Sequence, residues 1–381
     1  MAWLLVALGV LTGVTLYRLG SLTGGLSPQE LIAASTPVGW HGIYNQPLDL
    51  PLKLVRSAFF WLFPAHGQLV TRLPNAILGA LAIVTFTLLI RCWHGRRVAI
   101  LAGLLFATSA WVLHVSRLAS PDVLYLWAVP TLLLTNYLVK KYGRNPLVWY
   151  GNLLVWGMML YVPGLIWLVA ISAYLQRQQL AAAWQHFRAW WQRALYLLFG
   201  LIWLPLLIDY LARTHNFVVW LGVPPHLAGP LNLVKQLAGV PLHLFIRGPE
   251  YPELWLGRAP ILDVFTLTAC AVGIYFYATH LGASRPRLLG LFAATGLILV
   301  ASAGPVGLSL LVSLLYVCAA TGVAYLLRHW MRVFPNNPLA RGLGLGLIAL
   351  VVGLAAAYNL RAYFVAWPHN RVTQAVFRQR L

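Results

Sequence analysis

"TRLPNAILGALAIVTFTLLIRCWHGRRVAILAGLLFATSAWVLHVSRLASPDVLYLW" (71–127) decides the fold. Its apolar run is interrupted by the basic turn Gly95-Arg96-Arg97 and by Ser120-Pro121-Asp122. A helix needs roughly 20 apolar residues to cross a bilayer, so the stretch reads as the body of one span, the whole of a second and the entry to a third. Working outward by the same criterion, about eleven spans follow: 2–20, 68–91, 97–115, 122–139, 147–161, 163–175, 194–211, 261–280, 288–304, 306–327 and 342–360. The 381 residues are 60% hydrophobic and 9% charged, with a mean hydropathy of +0.76. No water-soluble fold hides that much hydrocarbon surface. The expected class is an all-α polytopic membrane protein, and the first span, which lacks a small-residue cleavage site, reads as a retained helix.

The charges set the expected orientation. With the N-terminus in the cytoplasm, the inner loops carry Arg91, Arg96, Arg97, Lys140, Lys141, Arg144, Arg177, Arg188, Arg193, Arg285, Arg287, Arg328, Arg332 and Arg341, which is 14 of the 27 Lys and Arg, in short loops as the positive-inside rule requires. The seven acids, Glu30, Asp49, Asp122, Asp209, Glu250, Glu253 and Asp263, fall outside or at outer helix ends. The net charge of +20 is therefore mostly topology and does not imply nucleic-acid binding. The C-terminus falls on the extracytoplasmic side.

Two long outer segments, 21–67 and 212–260, face that side. "LPLKLVRSAFFWLF" (50–63) sets Lys53, Arg56 and Ser57 against an apolar remainder, as an interfacial helix does. "PLNLVKQLAGVPLHLFIRG" (230–248) reads similarly, with an interruption at Pro241, and "AAAWQHFRAWWQR" (181–193) reads as an inner interfacial anchor. Cys92, Cys270 and Cys318 lie in apolar stretches without ligand spacing and read as small packing residues. The histidines are not spaced as helical ligand pairs, so neither a metal nor a cofactor is expected.

The order of "RLPNAILG", "GRR", "ATSAWVLHVSR" and the Arg117-x-x-x-x-Asp122 entry resembles the GT-C membrane glycosyltransferases of family 39, which include protein O-mannosyltransferases and lipid A aminoarabinose transferases. The resemblance is good over about residues 1–140 and continues more thinly in "FIRGPEYPELWLGRAPILD" (245–263) and "YNLRAYFVAWPHN" (358–370). It implies one GT-C-like transmembrane domain over 1–381, and, unlike many relatives, this chain is expected to carry no separate soluble C-terminal domain. It also implies transfer of a sugar from a polyprenyl-phosphate donor to an extracytoplasmic acceptor, without a metal. A catalytically inactive relative that binds or moves a polyprenyl-linked lipid is the alternative. The chain departs from the family in two places: Gln29-Glu30 stands where members commonly carry Asp-Glu, and "NQPLDLPLKL" (45–54) replaces the usual Lys-Pro-Pro.

An inverting displacement needs a carboxylate opposite the leaving group, and the departing phosphate needs cations in a water-poor cleft. On that chemistry the candidate catalytic acids are Glu30, Asp122 and Asp49, and the candidate phosphate partners are Arg72, Arg117 and Lys53. Each has a structural reading too. Ser27-Pro28-Gln29-Glu30 fits a capping box, Ser120 and Pro121 fit a helix start ahead of Asp122, Arg117 can pair with Asp122, Arg72 can snorkel to headgroups, and Asp49 can start the helix that follows. Capping and chemistry are compatible at Glu30, which is expected as the base or as the helper of a base. Asp122 is expected to support the acceptor or orient the base. Glu250 reads as a brace, and Glu253 is open between bracing and the acceptor side.

Overall fold

The computed structural model describes residues 2–35, 39–63, 67–186, 189–226, 229–254 and 257–378. Among them the chain is helical, with no strand. Helix α1 (Ala2–Leu16) leads to a segment carrying α2 (Pro28–Ser35), α3 (Trp40–Asn45) and α4 (Leu50–Leu62). Then come α5 (Gln68–His94), α6 (Arg96–Thr108), α7 (Ala110–Arg117), α8 (Val123–Tyr142), α9 (Pro146–Leu160), α10 (Leu165–His186), α11 (Trp190–Gly200) and α12 (Leu204–Ala212). A second segment holds α13 (Thr214–Trp220) and α14 (Pro230–Phe245), and the chain closes with α15 (Val264–Ala278), α16 (Ser284–Ala301), α17 (Ser309–Val333), α18 (Pro338–Arg361) and α19 (Arg371–Val376).

Each of the eleven expected spans falls on a helix or a bent helix pair. By length and composition, six helical stretches among the described residues can cross a membrane, or seven if α6 and α7 are one span bent by 62°. The bend comes at Ser109, whose extended backbone interrupts the helix. Helices α1, α9 and α15 have 15 residues each, about 22 Å at 1.5 Å per residue. The protein is a multi-pass membrane protein.

Three local expectations are corrected. Helix α14 runs unbroken through Pro241. The proline and Leu237, whose carbonyl it leaves unbonded, are both exposed, so that carbonyl is free to find water or a headgroup. Residues 181–193 do not form one interfacial helix: the first part extends α10 to His186 and α11 starts at Trp190. Helix α4 forms as expected, but its polar stripe faces protein. Arg56 is buried and donates to the Ala33 carbonyl at 3.4 Å, while Trp61, Leu62 and Phe63 are exposed. That is the arrangement of a helix with lipid on its outer face.

The core is built from α5, α6, α8, α9 and α15 to α17. Helices α15 and α17 touch backbone to backbone: a Cβ on Gly273 would lie 1.9 Å from the Cys318 carbonyl oxygen, and one on Gly322 1.8 Å from that of Ala269. Small residues four apart on both helices allow this approach, which replaces hydrophobic burial as the source of association in lipid. Cys270 and Cys318 are free thiols in this seam.

The bundle has two chemically distinct ends. At one, Trp111 bonds Ser309, Asn359 bonds Asp263, and Tyr125 bonds the carbonyls of Pro163 and Pro305. The helix starts bearing Asp122 and Asp263 and the segment bearing Glu30 and Asp49 meet here. At the other end, His94 bonds Thr321 and Arg328, and Arg285 lies over Trp93. We call these the carboxylate end and the cationic end.

Candidate active site

The start of α2 is a capping box. The Glu30 backbone N–H donates to Ser27 Oγ at 3.2 Å, and the Ser27 N–H donates back to Glu30 Oε2 at 3.1 Å. The same carboxylate is gripped from α5: Arg72 Nε donates to Oε1 and Arg72 Nη2 to Oε2, both at 2.7 Å. The Ala119 N–H adds a fourth donor to Oε1 at 3.3 Å. Arg72 also reaches the carbonyls of Gly25 at 3.1 Å and Leu19 at 3.3 Å. Both side chains are buried. A carboxylate offers about four lone-pair sites, and those of Glu30 are occupied.

Beside this pair lies a cavity of about 990 Å3. Pro28, Gln29, Ser120, Asp122 and Glu253 line it together with one face of α14, which contributes Lys235, Gln236, Gly239, Val240 and His243. Asp122 immediately precedes α8, and its N–H donates to Ser120 Oγ at 3.3 Å. Its carboxylate lies against Gly307, where an added Cβ would sit 2.7 Å from Oδ1. It accepts no hydrogen bond among the described residues. Asp122 keeps some surface open to the cavity but is otherwise surrounded by protein, and that burial pushes its carboxyl up to about 6.

Glu253 arrives from the second long segment. Burial pushes its carboxyl up, with the nearby Ser27 hydroxyl and Gln29 N–H opposing the rise and the Glu30 charge adding to it. It therefore lies beside the start of α2 while lining the cavity. The sequence alone left its role open, and Lys235 was missed. The available signal was the cationic position within the amphipathic 230–248 stretch.

Of the six candidates, only Asp122 lines this cavity. Arg117 donates to the Val14 carbonyl at 3.1 Å and lies 5.3 Å and 5.0 Å from the ring centroids of Tyr363 and Phe364, rather than pairing with Asp122. Asp49 occupies the N-cap position of α4 in a left-handed conformation, φ 59°, without a side-chain capping bond, and its N–H bonds the Tyr161 carbonyl at 2.8 Å. Burial pushes the Asp49 carboxyl up to about 6; Lys53 and Arg56 oppose the rise, and Asp122 adds to it. Lys53 donates to the Gln46 carbonyl. Asp49, Lys53 and Arg56 thus form a charged group behind Asp122, within reach of its field.

No family model matches the chain, and no curated protein matches it in sequence. Among solved structures, the crystal structure of ArnT from Cupriavidus metallidurans in the apo state is similar, with 13% identity and a TM-score of 0.54, covering 99% of this chain and 78% of that one. The same protein bound to undecaprenyl phosphate matches with 12% identity and a TM-score of 0.51, covering 99% of this chain and 76% of that one. At such identity the likeness is one of fold: this chain shares the fold of ArnT.

Proposed function

We propose that the protein transfers a sugar from a polyprenyl-phosphate donor to an acceptor hydroxyl in the cavity at the carboxylate end, and that this end is extracytoplasmic. The observation that carries the reading is one cavity, in a GT-C fold, shared by the carboxylates of Asp122 and Glu253 and the ammonium of Lys235. The binding of undecaprenyl phosphate by ArnT supports the donor class, and the basic loops at the opposite end support the orientation.

In this reading Asp122 is the base. A carboxylate raised to about 6 is ionised at neutral pH yet basic enough to take a proton in the transition state. The acceptor O–H proton passes to Asp122, the acceptor oxygen bonds to the sugar C1, and the bond from C1 to the phosphate oxygen breaks. The electron pair leaves with polyprenyl phosphate, whose charge Lys235 meets at the cavity wall. Glu30 is the helper: with its lone pairs occupied, it fixes α2 and Arg72, and thereby the Gln29 and Glu253 wall. Asp49, with Lys53 and Arg56, sets the field behind Asp122.

The test is reconstitution into liposomes with a panel of polyprenyl-phosphate hexoses and pentoses and hydroxyl acceptors. The expected result is release of free polyprenyl phosphate in equal amount to glycosylated product, with Lys235→Gln impaired in donor use. A second reading, a lipid-binding relative without activity, is favoured by the neutral Gln29 on the cavity wall. Saturable binding of the donor with no transfer across the whole panel would select it.

A further inference from the structure

A second cavity, of about 290 Å3, opens at the cationic end, between the last turns of α5 and α8 and the first turn of α16. Helix α8 presents Leu133, Tyr137, Lys140 and Lys141 to it, a three-and-four spacing that keeps them on one helix face. The face changes character along its length. Leu133, with Leu288 of α16, makes a buried apolar floor, and Lys140, Lys141 and Arg285 make an exposed cationic rim.

Among the described residues, nothing neutralises that rim. No acid lines the cavity, and none of the ion pairs among the described residues includes these three cations. Aromatic rings hold two of them instead: the Arg285 guanidinium is 5.1 Å from the Trp93 ring centroid, and Lys141 Nζ is 5.1 Å from that of Tyr142. The helix dipole accounts for two lysines in the last turn of α8. It does not account for Arg285, which stands in the first turn of α16, where the dipole disfavours a cation and no acidic residue compensates. An anion beside Arg285 removes both penalties.

We propose that this cavity binds the phosphate of an anionic phospholipid headgroup, with the acyl chains leaving over the Leu133 and Leu288 floor. The depth supports a lipid source. Helix α8 has 20 residues, about 30 Å of rise, so cations in its last turn lie at headgroup level. The site is separate from the proposed transfer reaction, being at the opposite end of the bundle.

Native mass spectrometry of the purified full chain tests it, with phosphatidylglycerol against phosphatidylcholine as probes and inorganic phosphate as a competitor. The protein should retain phosphatidylglycerol preferentially, and Lys140→Gln, Lys141→Gln and Arg285→Gln should each weaken retention about fivefold. Arg287→Gln, in the same helix turn but outside the cavity, should not. If Arg285→Gln does not fold, the pair Lys140→Gln and Lys141→Gln, both exposed, carries the test. Retention that inorganic phosphate leaves in place supports the headgroup as ligand. Displacement by phosphate supports the same anion site with the free ion as its source. Equal phosphatidylglycerol retention by the protein and its folded variants overturns the proposal.

Discussion

Glu30 and Asp122 invite comparison. Both are acids at the start of a helix at the same end of the bundle, and both follow a Ser-Pro step. Glu30 is enclosed by four donors, two of them from a bidentate arginine. The Asp122 carboxylate accepts nothing from the described protein and faces a cavity. A buried carboxylate with every lone pair bonded stabilises a particular arrangement of chain segments. One without partners keeps its lone pairs for a ligand and has its basicity raised by the same burial. The family resemblance placed emphasis on Glu30; in the proposed reaction the hydrogen bonding shifts that role to Asp122.

The largest effect that would sharpen this contrast is on transfer. Asp122→Asn should lower kcat/KM by about two to four orders of magnitude, the usual worth of a positioned base, while the melting temperature stays level or rises. In the unsubstituted protein kcat/KM should climb with pH through about 6 and level off above it, because the base must be ionised. Stability should move the other way. Asp122 and Asp49 hold protons more tightly folded than unfolded, so stability present near pH 4 falls as pH rises towards about 6. A flat rate profile, or full transfer by Asp122→Asn, breaks the contrast.

Next is the stability of the Glu30 pair. Glu30→Gln keeps the capping pattern but leaves Arg72 buried without its carboxylate, which should cost about 3 to 5 kcal/mol. Denaturation of Glu30→Gln, Arg72→Gln and the double variant completes a cycle. Strong coupling between the two residues, with the double variant more stable than the weaker single one, identifies a structural pair. A Glu30→Gln protein of native stability that has lost transfer would return the base to Glu30.

Gly307→Ala probes the Asp122 carboxylate without removing it. The new methyl would stand 2.7 Å from Oδ1 and contact no other residue as closely, so the flexible carboxylate must move. Transfer should fall by up to about a hundredfold with stability little changed. Smallest of all, Ser27→Ala should cost roughly 1 kcal/mol of cap stability, read as a modest drop in melting temperature. If Ser27→Ala abolishes transfer, the capping side of the site is more than scaffold.

Much of this molecule was written locally. The apolar runs, the capping box at Ser27 to Glu30, the amphipathic α4 and the grouping of acids at one end all follow from residues within a turn or two of each other, where period and cap chemistry act. The sequence also named Asp122 as a candidate, because an acid at a helix start near the membrane rim is informative by itself. Tertiary structure decided the rest. It brought Arg72 onto Glu30 from 42 residues away, set Glu253 beside Ser27 and Gln29, turned Arg117 onto Tyr363 and Phe364, and placed Lys235 on the wall of the cavity that Asp122 lines. Helical period says which face of a helix is apolar, but not which helix it meets or at what height. Those are fixed by small-residue contacts such as Gly273 on Cys318 and by the satisfaction of polar groups across the bundle, both properties of the packed chain as a whole.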